Sequence, residues 1–109
     1  MSADTDQVLL VVSTLPDEDS AKELASALVE SRLAACVNVL APCASVYRWQ
    51  GAVENATEIP VIIKTTAKQY AELESMLRAR HPYELPEILA VRVSHGLPDY
   101  LDWVVAQTT

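Results

Sequence analysis

His81, Tyr83, Glu84 and Glu87 stand on a stretch stiffened by Pro82 and Pro86, the densest gathering of side chains able to hold a metal or move a proton. An imidazole with two carboxylates suits a borderline divalent metal such as Cu(II) or Zn(II). Neither HExxH nor CxxC occurs, and one histidine beside loop carboxylates is common by chance, so these residues alone read first as a helix-terminating loop. His95, before Gly96, reads as a turn or capping residue. Cys36 and Cys43 are seven positions apart, which on a regular strand turns them to opposite faces. A shared metal or a disulfide would need a bulge between them, and each reads as a small buried hydrophobe. Lys64 closes the apolar run 59–63, and Glu58 precedes that run on the same strand face by parity. At about 3.3 Å per residue the two are about 20 Å apart and do not pair within one chain. Lys64 is left with an anionic ligand, a neighbouring subunit's carboxylate, or solvent. Gly51 and Gly96 are the only glycines, so there is no Gly-rich phosphate loop, and no nucleophile elbow supports a hydrolytic triad. No organic cofactor is expected.

These side chains need elements to carry them. Residues 8–13 form a short apolar run that reads as a buried strand. Acidic residues 17–19 precede Ala21, Leu24, Ala25, Leu28 and Val29 at helical spacing, which predicts a helix over 19–32 with Arg32 at the negative end of its dipole. Residues 35–49 have no helical stripe and contain Pro42; they read as a long strand, bent or bulged at that proline. After the turn Gln50-Gly51, a second extended stretch over 52–65 completes a hairpin. Thr66 and Gln69 have capping-box spacing, Tyr70, Leu73 and Leu77 mark one face of a second helix, and His81-Pro82 stops it. A strand over 88–93 and a helix over 98–107 finish the chain. This order is the split βαβ, ferredoxin-like α+β pattern, with one antiparallel sheet carrying the first two helices on one face. One domain is expected over 1–109, with 1–7 flexible.

Fully extended, 35–49 would span about 50 Å, whereas helices of about fourteen residues cover about 21 Å. The far part still carries Val46, Tyr47 and Trp49, so a second subunit is the expected cover. The alternative is that Pro42 splits the stretch into two shorter strands.

Composition narrows the function classes. The 109 residues are 50% hydrophobic and 21% charged, which excludes a disordered tail and is generous for one small core. A net charge of -7 works against binding nucleic acid or anionic membranes and leaves cationic partners open. The longest uncharged stretch begins at Leu33, is broken by Asn38, Pro42 and Ser45, and falls short of the roughly 20 residues of a membrane helix. Two cysteines make no disulfide scaffold and the start lacks a signal-peptide pattern, so a reduced, cytoplasmic protein is expected.

The strings Arg32-Leu33-Ala34-Ala35-Cys36-Val37-Asn38, Ser45-Val46-Tyr47-Arg48-Trp49, Ile63-Lys64-Thr65 and above all His81-Pro82-Tyr83-Glu84-Leu85-Pro86-Glu87 resemble the CutA family of divalent-cation tolerance proteins. Ser13-Thr14-Leu15-Pro16, Gly96, Tyr100 and Trp103 extend the likeness. It implies a PII-like homotrimer with a long hairpin reaching across subunits, and a role in tolerance to divalent cations, copper especially, without a catalytic reaction. It further implies that Cys36, Tyr47, Trp49, Glu58, Lys64, His81, Tyr83, Pro86, Glu87 and Trp103 line clefts between subunits. Some members carry cysteine and histidine where this chain has Ser13 and Arg80, two of the family's copper-ligand candidates. Here His81 stays without them, so the expected metal set is His81 with Glu84 and Glu87. The alternative function is a PII-like signalling or scaffold module that takes a small anionic ligand near Lys64 or a protein partner.

Overall fold

A computed structural model describes residues 5–109. The elements run β1 (Val8–Leu15), α1 (Glu18–Glu30), β2 (Cys36–Val39), β3 (Cys43–Trp49), β4 (Ala52–Thr66), α2 (Ala67–Arg80), β5 (Leu89–Arg92) and α3 (Pro98–Gln107). The sheet is antiparallel in the order β2-β4-β1-β5, and β3 continues along β4 beyond β2. This is the ferredoxin-like order the sequence predicts, with an added C-terminal helix. Of the segment expected to be flexible, residues 1–4 lie outside the described residues. The Thr5 and Gln7 carbonyls accept from the Lys68 and Ala67 amides at the start of α2.

The long strand expected over 35–49 is two strands. Val39 faces Val61 and Cys43 faces Glu58, so four steps on one side match three on the other. One extra residue is accommodated around Pro42, which has no amide to give to the ladder. The bulge also corrects the parity of the cysteines. Cys36 faces Lys64 and Cys43 faces Glu58, and these partners share a face of β4, so both cysteines do too. They remain free thiols, separated along the strand by far more than the roughly 7 Å Cα limit of a disulfide. At the hairpin tip, Gln50 and Gly51 both have positive φ, 50° and 83°, the pattern of a tight turn matching the sheet's twist. The arm so formed accounts for the long axis of a molecule measuring 46 × 25 × 23 Å.

Two local expectations shift. The first helix ends at Glu30 because Arg32 turns left-handed, φ 63°, leaving the Leu33 and Ala34 amides both bonded to the Leu28 carbonyl. Arg32 therefore sits outside the helix, whose start is capped by Asp17 accepting from the Ser20 amide at 2.7 Å. At α2 no side chain caps the first turn; Gln69 instead donates to the Thr108 carbonyl, tying α3 down.

Odd-numbered positions of β1 and β4 build the core. Val11, Leu15, Ile59, Val61 and Ile63 pack with Leu24, Leu28, Leu73 and Leu77 of α1 and α2. Even-numbered positions face the other way, where α3 covers one end through Val104 and Leu101 against Val8, Ala35 and Val93. The rest of that face is bare. Val12 lies between Ile62 and Leu89, and Leu10 between Lys64 and Val91; Leu89 and Val91 are 59% and 58% exposed. None of the helices is long and apolar enough to cross a membrane among the described residues.

Candidate functional site

The residues singled out from sequence fall into two places. Tyr47 and Trp49 of β3, Glu58 of β4, and Tyr83, Glu84 and Glu87 of the loop after α2 line one open cleft of about 740 Å³, with Thr14 and Ser45 on its wall. That volume is within the usual range for small-molecule sites, roughly 300–1,000 Å³. Cys36, Lys64 and Trp103 belong to a second cluster at the α3 end of the bare face. There the Lys64 ammonium lies 3.9 Å from the Cys36 sulfur and 5.9 Å from the centre of the Tyr100 ring, which in turn lies 5.5 Å from the Trp103 ring.

Glu58 is the hub of the cleft and is buried. Thr14 Oγ1 donates to its carboxylate at 3.1 Å, and the Ser45 and Tyr83 hydroxyls lie near enough to favour its charged form. Burial favours its neutral form, but these three hydroxyls and the nearby His81 outweigh burial and hold the carboxyl below its ordinary pKa. Tyr83 shifts the other way, its phenol raised by burial and by the Glu58 charge. It therefore stays a hydroxyl donor.

His81 positions the loop. Its Nδ1 accepts from the Tyr83 amide at 3.2 Å, which leaves the proton on Nε2 to donate to the Thr14 carbonyl at 2.8 Å. The ring also packs on Tyr83, with centroids 4.8 Å apart. Burial lowers its pKa against the opposing pull of the Thr14 carbonyl and Glu58, so the imidazole is neutral at pH 7.

This geometry does not bring the expected metal set together within one chain. His81 is buried with both ring nitrogens bonded inside the chain, whereas Glu84 and Glu87 are exposed on the cleft rim. Among the described residues no group of three or more His, Cys, Asp or Glu side chains converges to hold a metal ion. Ser13 supplies no ligand either: it lies on the helix-covered face opposite Val61, 1% exposed, its hydroxyl without a partner, while Arg80 is exposed and cationic. These residues do not fit a copper centre within one chain.

Thr14, Ser45 and Tyr100 were missed as site residues. Ser45 had a signal, since Ser45, Tyr47 and Trp49 alternate along one strand face. Thr14 and Tyr100 had only their place in the family likeness, because only the register and the path of α3 bring them in.

Residues 9–107 match the model of the CutA1 divalent ion tolerance protein family. The chain belongs to the CutA1 family. It is 43% identical over 99 residues to the divalent-cation tolerance protein CutA of Thermus thermophilus, covering 91% of this chain and 96% of that one. It is 45% identical over 91 residues to mouse protein CutA, of which the match spans 51%. The crystal structure of CutA from Xylella fastidiosa superposes with a TM-score of 0.92 at 47% identity, over 94% of this chain and 99% of that one. The CutA1 fold thus supplies both the cleft and the bare sheet face, and the family ties the chain to divalent-cation tolerance.

Proposed function

We propose that this chain serves divalent-cation tolerance as a non-enzymatic homotrimer in the cytoplasm, working as a binding module through the Glu58 cleft. The bare apolar rows around Val12 and Leu10 carry this reading, since a face of that kind on a small domain is the mark of a subunit contact. Lys64, at the edge of those rows, has a thiol and a ring for company and no carboxylate among the described residues. A carboxylate from a second copy, or a small anion bound between copies, completes it.

Direct copper or zinc chelation by His81 is the reading set aside, because a metal there would displace two hydrogen bonds that hold the loop. Isothermal titration with Cu(II) and Zn(II), beside His81→Ala, separates the two. Equal heats in both proteins are expected. One metal per chain, bound by the unsubstituted protein and lost in the variant while the variant keeps its oligomeric mass, would restore His81 as the ligand.

A further inference from the structure

Glu58 presents an unbalanced charge. Its one hydrogen-bond donor, Thr14, and the nearby Ser45 and Tyr83 are neutral hydroxyls; they stabilise the anion without cancelling it. The nearby imidazole, His81, is held neutral by burial. No ion pair reaches Glu58 among the described residues, where Lys22 with Glu18 on the surface of α1 forms the one salt bridge. A buried carboxylate is ordinarily matched by a cation.

The cleft in front of it has the chemistry to accept one. Its lining carries Glu58, Glu84 and Glu87 against the single guanidinium of Arg48. Its walls include the rings of Tyr47, Trp49 and Tyr83, whose faces attract cations. The carboxylates do not converge as a metal group does, and about 740 Å³ is far more room than a bare ion needs. Spread negative charge with aromatic walls suits a cation that is itself large, weakly hydrated and partly apolar.

We infer that the Glu58 cleft binds a small organic ammonium ion, its cationic head set among Tyr47, Trp49 and Tyr83 and its charge matched to the Glu58 carboxylate. This rests on the cleft being the working site, and it names the class of ligand that site takes.

Choline and its uncharged carbon isostere, 3,3-dimethylbutan-1-ol, test the inference on the full chain in its native oligomeric state. Binding is read by titration calorimetry and by the shift of the Trp49 indole N–H resonance. The expected result is saturable choline binding that moves Trp49, with no saturation by the isostere. Glu58→Gln keeps the shape and one acceptor oxygen, and Trp49→Leu keeps an apolar wall; each should weaken choline about tenfold or more. Unaltered light-scattering mass and melting cooperativity would establish that both variants are folded. If the isostere binds as well as choline, the cleft remains a ligand site but the cationic class is overturned. If neither compound moves Trp49, or choline binds both folded variants undiminished, the inference is overturned outright.

Discussion

The two faces of the sheet are finished to different degrees. On one, α1 and α2 bury Val11, Val61 and Ile63 almost completely, and the core closes within a single chain. On the other, α3 covers one end and leaves Leu89 and Val91 more than half exposed beside half-buried Leu10, Val12 and Ile62. Along β1 the residues are apolar on both sides, Val8, Leu10 and Val12 against Leu9, Val11 and Leu15, so that strand's sequence alone does not tell the faces apart. The difference lies in how much helix the chain has left to spend: α3 has ten residues, about 15 Å, and the sheet is longer than that. One face closes the fold within the chain, and the other stays open, where the proposed assembly would form.

Placing a charge on the bare face should have the largest effect. Val91→Glu sets a carboxylate beside Leu10, where apolar contact between copies would strand it without a partner. The proposed trimer is expected to fall to single chains by light scattering, with the secondary structure retained because the substitution does not touch the helix-covered core.

Next in size is His81→Ala, which removes a buried ring and two hydrogen bonds. A loss of about 2 kcal/mol is expected in chemical denaturation, at about 1 kcal/mol per bond. Unchanged stability would show that the loop is held by something other than His81.

At the hairpin tip, Gly51→Ala should cost about 1 kcal/mol through the positive φ of 83°, since there is open space around the added methyl group. The same denaturation experiment reads it, and the trimer mass should not change. That contrast would separate strain at the turn from loss of assembly.

The smallest effects are in pH dependence. Both His81 and Glu58 have lowered pKa values in the folded chain, so each contributes stability above its ordinary pKa that is lost as pH falls through its folded value. Melting temperature should decline first below about pH 6.5 from His81 and again below about pH 4.3 from Glu58. His81→Ala should flatten the first decline and Glu58→Gln the second; curves parallel to the unsubstituted protein would contradict these shifts.

Much of this was legible in the residues. Periodicity and proline placement located all three helices and the strands β1, β4 and β5, because those signals are local. The break near Pro42 was visible as a bend, but the count of one extra residue was not, since it depends on the pairing with β4. That single residue reverses the expected relation of Cys36 and Cys43. The family likeness names Tyr47, Trp49, Glu58 and Tyr83 for clefts between subunits, together with Cys36, Lys64 and Trp103; within one chain the first four line one cleft and the other three lie elsewhere. What composition and spacing could not show was that both His81 nitrogens are occupied, a matter of where the Thr14 carbonyl and the Tyr83 amide come to lie. For that reason His81, Glu84 and Glu87 do not come together as one ligand set within the chain.

Assembly through the bare face is tested most directly by multi-angle light scattering of the unsubstituted protein at micromolar concentration. A mass three times that of one chain is predicted. A stable mass of one chain, with Leu89 and Val91 left open to water, would contradict it.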